Sequence, residues 1–239
     1  MTIGTHAVVR MVMAHTPTGA YRFYRMPPDG QIIGGNAVMG GRSADWFLDL
    51  LQTPEHDREA VFEMMDAYAA KIPAGSRGVR FLPFLAGQVA PVARPGARAA
   101  FSGLRFDHGH NEMYRAVLEG ASFAIRSIAD QVNGWCGLPT VVRLTGSGAR
   151  SPLWTNMLAN VLDTSLEISD EAVEARGAVA CLTVALGQHA DIAHAADRLV
   201  QIQRTEVPDE ETAANYREIY QHWQKINQLS RAFDAGQAI

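Results

Sequence analysis

Short runs of apolar residues separated by turn-forming residues dominate the first forty positions of the chain. Residues 3–13 are predicted to form one long strand or a pair of strands, and residues 21–25 and 31–33 two shorter ones. The segments 16–19 (TPTG) and 27–30 (PPDG) are the predicted turns between them. Strands that follow one another through short turns indicate an antiparallel meander in this part of the sheet.

Apolar positions recur at three- and four-residue intervals along much of the remaining chain, which predicts helices. The predicted helices cover residues 42–51, 59–71, 111–132, 152–162, 175–186 and 209–233. Short apolar runs predict strands at residues 79–82, 140–145 and 166–168. The loop from residue 83 to about 100 is rich in Pro, Gly and Ala and is too long for a plain connector, so we expect it to be functional or packed as a flap. One mixed α/β domain, residues 1–239, accounts for the whole pattern.

Composition narrows the classes of protein to which this chain can belong. The 239 residues carry a net charge of −4 and contain no run of Lys and Arg, so a nucleic-acid partner is not expected. The longest apolar run, residues 178–186, is too short to span a membrane. Cys136 and Cys181 are far apart and belong to no metal-binding pattern, which favours a reducing, cytoplasmic setting. These properties are typical of a globular protein with a sizeable core.

The strongest local unit runs from Thr140 to Trp154 (TVVRLTGSGARSPLW), where a strand leads through a glycine-rich turn into a helix. Small residues let a flat ligand or a phosphate approach the backbone, and the first amides of a helix attract anions. Ser151 is the predicted N-cap of that helix. The turn has no Gly-Lys-Ser/Thr sequence, and Ser151 occupies the place of the third glycine in a dinucleotide-binding fingerprint. A turn whose glycines serve packing alone is the alternative.

Two other short segments have the same two interpretations. At Gly4 and Thr5, a hydroxyl beside a glycine amide can donate two hydrogen bonds to one phosphate oxygen. Gly40 and Gly41 precede the helix predicted at residues 42–51, where their amides would be free at the helix start. At Gly4 and Thr5 a plain β-turn is favoured, and at Gly40 and Gly41 a tight entry turn is the alternative.

Three further polar features have a chemical and a structural interpretation. The histidines of residues 107–110 (DHGH) have the spacing of metal ligands, but no third ligand of matching kind lies nearby, so a polar turn before the long helix is favoured. His6 could contact a ligand, although a single histidine near a strand is more often structural. Glu119 lies within an apolar-striped helix, and we expect it to be buried and paired rather than catalytic.

Residues 99–119 (AAFSGLRFDHGHNEMYRAVLE) form a long, specific pattern that resembles the second signature of the FGGY carbohydrate kinases, a family that includes xylulokinase, ribulokinase and glycerol kinase. Four further segments resemble the C-terminal domain of this family. Residues 3–5 resemble its LGTS segment, residues 81–104 its FLPYLxGERxP stretch, residues 144–154 its adenosine segment, and residues 175–180 the start of its ARGAA helix. The similarity covers about residues 2–230.

The resemblance implies an actin-like, ribonuclease-H-type α/β domain with a mixed five-stranded sheet flanked by helices. In this family ATP lies in a cleft between two such domains, with Mg²⁺ bridging its phosphates. The residues that the resemblance assigns to the nucleotide are Gly4 and Thr5 by the terminal phosphates, Gly41, Ala44 and Asp45 along it, and Gly148, Ala149 and Ser151 at the adenosine.

The resemblance also implies that the sugar site and the catalytic aspartate precede the LGTS-like segment, which begins here at residue 3. No carboxylate of this chain matches that base, so no catalytic and no metal-ligating residue is assigned. The sugar or polyol is expected to bind through an N-terminal domain that precedes this sequence. Three segments depart from the family pattern: His6–Ala7 replaces Ser-Gly, Gln88–Val89 replaces Glu-Arg, and Ser147 replaces the middle glycine of the adenosine turn.

Three hypotheses about function follow. The first is the ATP-side domain of a kinase that transfers the γ-phosphate to a hydroxyl of a ketose or polyol, inactive as the isolated chain. The second is a stand-alone, non-catalytic nucleotide-binding or regulatory module derived from such a kinase. The third, an actin-like filament or chaperone-type ATPase, is disfavoured by the signature at residues 99–119. The sequence does not identify the sugar, and it leaves the oligomeric state open, a homodimer included.

Overall fold

The computed structural model describes residues 1–13, 23–26, 31–53, 55–137, 139–169 and 172–234. Its strands are β1 (Thr2–Ile3), β2 (His6–Met13), β3 (Phe23–Met26), β4 (Gln31–Met39), β5 (Arg80–Leu82), β6 (Ala100–Ser102), β7 (Val141–Leu144), β8 (Ser165–Ser169) and β9 (Ile202–Glu206). Its α-helices are α1 (Arg42–Leu50), α2 (Arg58–Ala69), α3 (His110–Cys136), α4 (Pro152–Leu162), α5 (Val173–Ala185), α6 (Ile192–Leu199) and α7 (Glu210–Asp234). The turns predicted at residues 16–19 and 27–30 lie outside the described residues.

The strands form small sheets rather than the single five-stranded sheet that was predicted. One sheet has the order β1–β2–β4–β3 and is antiparallel throughout, as predicted. The predicted meander is wrong, because β2 pairs with β4 and not with β3, the next strand along the chain. A second has the order β7–β8–β9, with β7 parallel to β8, and β5 and β6 form a separate pair. The first two sheets adjoin at one parallel bridge between Thr2 and Thr145. Because β1 has only two residues, it cannot extend that pairing into a continuous sheet.

Helix α3 lies at the centre of the core, and its apolar periodicity predicted it correctly, although it is longer than expected. It packs on β5, β4 and β2 and on helices α1, α2 and α4. Gly120 lies so close to β5 that a Cβ there would overlap the carbonyl oxygen of Phe81. On the α7 side, Phe123 packs against the rings of Tyr216, Tyr220 and Trp223. Burial of these large rings holds α7 on α3.

Glu119 is buried and paired, as the sequence predicted. The residue is 1% exposed. Its carboxylate accepts hydrogen bonds from Gly75 N and Ser76 Oγ, both at 2.8 Å, and from Arg115 Nε and Tyr216 OH, both at 3.1 Å. A buried charge is tolerated when it is paired and its oxygens are hydrogen-bonded. Glu119 therefore joins α3, the turn before β5 and α7.

The long loop after β5 is packed as a flap against α7. Ala90 and Ala97 are each 1% exposed. Arg94 donates to the carbonyl oxygen of Asn227 at 3.1 Å and lies 3.3 Å from Asp234. Gln88, which replaces the family's glutamate, is buried and donates to the carbonyl oxygen of Ala90 at 3.0 Å. This part of the loop is a structural element of the core.

The sequence did not predict β6, α6 or β9. Helix α6 begins at a side-chain cap, because Asp191 accepts a hydrogen bond from His194 N at 2.9 Å. Strand β9 pairs antiparallel with β8 at the edge of its sheet. No α-helix within the described ranges is long and apolar enough to cross a membrane.

Candidate functional site

Strands β1 and β7 run parallel, so the turns that follow them lie at the same edge of the domain. The turn after β7, residues 146–150, is called the glycine turn below. A Cβ on Gly146 would overlap the carbonyl oxygen of Ile3, and a Cβ on Gly148 would lie 2.5 Å from Cγ2 of Ile3. Contact with the end of β1 therefore requires glycine at both positions. The same contact places the turn at Gly4 beside the glycine turn.

Helix α1 begins beside the turn at Gly4, but its first amides are not free. Gly41 N donates to the carbonyl oxygen of Gly4 at 2.8 Å, and Gly40 N donates to that of Thr5 at 3.1 Å. Gly4 N donates in turn to the carbonyl oxygen of His6 at 3.0 Å. Of the two interpretations of Gly40 and Gly41, free amides are wrong and a tight entry turn is confirmed, because the packing of the two turns pairs these donors with backbone carbonyls.

The other predicted residues of this region differ in accessibility. Thr5 has an exposed side chain next to Gly4. Ala44 is 4% exposed and packs in the core, so it offers little surface to a ligand. Asp45 is half-buried, and its carboxylate lies 3.9 Å from Nη1 of Arg58. Contact of these residues with a nucleotide stays a prediction.

The glycine turn presents backbone donors at the edge of the domain. Ala149 N donates to the carbonyl oxygen of Gly146 at 2.9 Å and closes the turn. The amides of Ser147 and Gly148 open this short 3₁₀ helix and have no acceptor among the described residues. Such amides favour an anion or a ligand oxygen. The amides of Gly4, Gly40 and Gly41 are all paired, whereas the glycine turn has two amides without an acceptor in the part of the chain that the structure describes.

A cleft of about 440 Å³ lies beside the glycine turn, at the carboxyl ends of β7 and β8. Its walls are Gly146, Ala149 and Arg150 of the turn, Ile168 and Ser169 of β8, and Gln203 and Arg204 of β9. In α/β sheets, ligands bind outside the carboxyl ends of the strands, and this cleft is large enough for a small-molecule ligand. The turn was predictable from the sequence, but the walls from β8 and β9 were not, because their residues belong to no recognisable motif.

Ser151 has a structural task in this arrangement. Its Oγ accepts a hydrogen bond from Trp154 N at 3.0 Å, which caps α4, and donates one to Oδ2 of Asp66 at 2.5 Å. The hydroxyl of Tyr114 donates to the other oxygen of Asp66 at 2.8 Å. Burial raises the pKa of Asp66 above its ordinary value of 3.8, although the two hydrogen bonds lower it in part. The N-cap prediction is confirmed, and contact of Ser151 with a nucleotide stays a prediction.

The DHGH segment is built as a polar turn. The carboxylate of Asp107 lies 2.7 Å from Arg77 and 3.1 Å from Arg105, which hold its pKa well below the ordinary value. Nδ1 of His108 accepts a hydrogen bond from Arg105 N at 3.1 Å. The described part of the chain has no group of three or more His, Cys, Asp and Glu side chains that could hold a metal ion.

The small sheets, joined at the bridge between Thr2 and Thr145 and with two turns meeting at one edge, form a mixed α/β domain. This domain matches the actin-like ATPase fold of the structurally similar kinases given below. Residues 1–186 match the profile of the FGGY family of carbohydrate kinases, C-terminal domain. The chain therefore belongs to the FGGY family of carbohydrate kinases.

Relatives of known sequence and structure agree with this assignment. The gluconokinase of Bacillus subtilis (strain 168) is 27% identical over 230 residues, which cover 91% of this chain and 44% of that protein. The xylulose kinase of Escherichia coli (strain K12) is 33% identical over 154 residues, 63% of this chain and 31% of that protein. The ligand-bound xylulose kinase of Lactobacillus acidophilus superposes with a TM-score of 0.85 at 25% identity, covering 97% of this chain and 47% of that chain.

A more distant structure shows the fold alone. Glycerol kinase of Plasmodium falciparum with ADP superposes with a TM-score of 0.78 at 18% identity, covering 96% of this chain and 46% of that chain. The chain thus spans less than half the length of each of these relatives.

Proposed function

We propose that this domain forms the nucleotide side of a carbohydrate kinase and binds ATP at the edge where the turns after β1 and β7 meet. The observation that carries the proposal is the contact of Gly146 and Gly148 with Ile3, which brings the turn at Gly4 and the open amides of the glycine turn to one place. In this arrangement the adenosine would occupy the cleft beside Ala149, and the phosphates would extend toward Thr5.

Phosphoryl transfer depends on positioning and on charge stabilisation, and the residues of this edge are suited to the first of these. The amides of Ser147 and Gly148 can donate to ligand oxygens, and the exposed hydroxyl of Thr5 can donate to a phosphate. Mg²⁺ commonly binds through substrate phosphates with few protein carboxylates. Since the described residues form no carboxylate cluster, we propose that the metal is held through the phosphates.

Transfer to a sugar would need a second wall, because the acceptor hydroxyl and a base must face the γ-phosphate. The relatives have more than enough additional length for a second domain. Helix α5 supports the presence of a covering partner: Val179, Leu182 and Leu186 are 42%, 61% and 72% exposed along one apolar helix and the residue that ends it. The relatives' names make xylulose and gluconate the first acceptors to test, beside other ketoses and polyols.

Calorimetric titration of the chain with ADP–Mg tests the nucleotide site directly. We expect saturable binding, and we expect Thr5→Val to weaken it roughly tenfold, the scale of one lost hydrogen bond to a charged group. Thr53→Val is the matched control, because Thr53 follows the far end of α1 and should leave the affinity unchanged. A folded chain that binds no ADP would refute the proposal.

Activity is tested separately on the full-length gene product with ATP–Mg and a panel of xylulose, gluconate and glycerol. We expect phosphorylation of one acceptor class. Nucleotide binding without phosphorylation of any sugar or polyol would instead favour a non-catalytic nucleotide-binding module.

A further inference from the structure

One wall of the cleft is formed by residues outside the range that matches the family profile. The profile ends at residue 186, whereas Gln203 and Arg204 on β9 line the cleft. These two residues are neighbours in a strand, where successive side chains ordinarily point to opposite faces. Their presence in one wall therefore needs a local departure from regular strand geometry.

A β-bulge supplies that departure. Ile168 pairs with Arg204 and the next residue, Ser169, pairs with Ile202, so Gln203 is an additional residue on β9. A bulge bends the strand and re-aims side chains, and bulges are frequent beside functional sites. The bulge lies at the carboxyl end of β8, where the cleft opens.

Arg204 joins β9 to the glycine turn through one nitrogen. Its Nη2 donates to the carbonyl oxygen of Ala149 at 3.0 Å and to Oγ1 of Thr155 at 2.9 Å. Its Nε donates to Glu206 at 3.2 Å, which orients the guanidinium plane. Nη1 has no partner among the described residues, and the side chain is 34% exposed. A planar, fixed guanidinium can hold the turn with one nitrogen and offer another to a ligand.

We propose that Arg204 is a positioning residue for the nucleotide: it fixes the glycine turn through Ala149 and presents Nη1 to the adenosine part of the ligand. The inference rests on the proposed nucleotide site and adds a residue to it. A lysine would not serve in its place, because an ammonium is a point charge without the planar fork.

Two measurements on Arg204→Gln test the proposal, with Arg143→Gln as the matched control. Arg143 lies on β7 of the same sheet, is 62% exposed and pairs with Glu167, but it does not line the cleft. The first measurement is hydrogen exchange of the glycine-turn amides without nucleotide. The second is calorimetric affinity for ADP–Mg and for pyrophosphate–Mg, at a temperature where all the proteins are folded.

We expect Arg204→Gln to speed exchange of the Ala149 amide, whose hydrogen bond to Gly146 closes the turn, and to weaken ADP–Mg binding roughly tenfold. Pyrophosphate–Mg binding and the control variant should stay unchanged. General destabilisation would weaken both ligands alike and would therefore contradict the proposal. Unchanged exchange or unchanged ADP affinity in Arg204→Gln would overturn the inference and leave the proposed function intact. If the wild-type chain binds neither ligand, the proposed function itself fails, and the role of Arg204 fails with it.

Discussion

The contact between Gly148 and Ile3 allows a direct test of how the two turns meet. Gly148→Ala would place a methyl group 2.5 Å from Cγ2 of Ile3 and 3.1 Å from a ring carbon of Trp154. Inserting a methyl into a packed site typically costs about 1–3 kcal/mol of unfolding free energy. Ile3 is 1% exposed, so Ile3→Ala alone should cost about 2–5 kcal/mol.

The double variant separates this contact from general effects on the core. Ile3→Ala removes the Cγ2 atom that the new methyl group would strike, so the double variant should lose less stability than the two single losses combined. We expect a coupling of about 1–2 kcal/mol. Gly148→Ala combined with Ile219→Ala is the control, because Ile219 on α7 packs near Gly75 and should give additive losses to within about 0.5 kcal/mol.

Urea denaturation of the wild type and the variants measures these differences, provided that the slopes agree. Additive losses in the Gly148 and Ile3 pair would mean that the end of β1 and the glycine turn do not touch in solution. The turn at Gly4 would then have no reason to lie beside the glycine turn, and the geometry of the proposed site would be refuted.

Three further predictions concern the groups that support the site. Glu119→Gln should lower the unfolding free energy by about 3 kcal/mol, because it leaves the buried Arg115 without its carboxylate partner. In the same urea assay the exposed control Glu63→Gln should change the unfolding free energy by no more than about 0.5 kcal/mol. Ser151→Ala should cost about 1 kcal/mol through loss of the α4 cap, and an unchanged urea midpoint would contradict that role. Burial raises the pKa of Asp66, so the folded protein binds a proton at this carboxyl more tightly than the unfolded chain does. The resulting contribution to the unfolding free energy is fully present below pH 3.8 and is lost as the pH rises through the raised pKa. The stability of the wild type relative to Asp66→Asn should therefore fall over that range, and a pH-independent difference would refute the assignment.

Local patterns made the centre of the fold predictable. Helix α3 repeats its apolar positions over many turns, so its existence did not depend on knowing its partners. The burial of Glu119 followed from its place within that apolar stripe. The start of α4 was predictable for a similar reason, because Ser151 and Pro152 are adjacent capping signals.

Features that depend on contacts distant in sequence were not predictable. The β9 sequence IQRTE has neither a continuous apolar run nor a regular alternation of apolar and polar residues. It forms a strand because it pairs with the edge of β8. The hydrogen bond from Arg204 to Ala149 joins residues 55 positions apart. The amide of Gly41 could be free as far as the sequence shows, but it donates to the carbonyl oxygen of Gly4, which lies in the turn between β1 and β2. In each case tertiary packing decided the outcome.

Packing against Ile3 and binding of a ligand would both require small residues in the glycine turn, so its glycines alone do not indicate a binding site. Contact with Ile3 requires glycine at positions 146 and 148 whether or not a ligand is bound there. Thr5 and Ser147 differ, because both have exposed side chains whose hydroxyls have no partner among the described residues. The fold gives no reason for a hydroxyl at either position. A loss of ADP affinity on Thr5→Val or Ser147→Ala, without a loss of stability, would therefore report the ligand itself, which no substitution of the glycines can do.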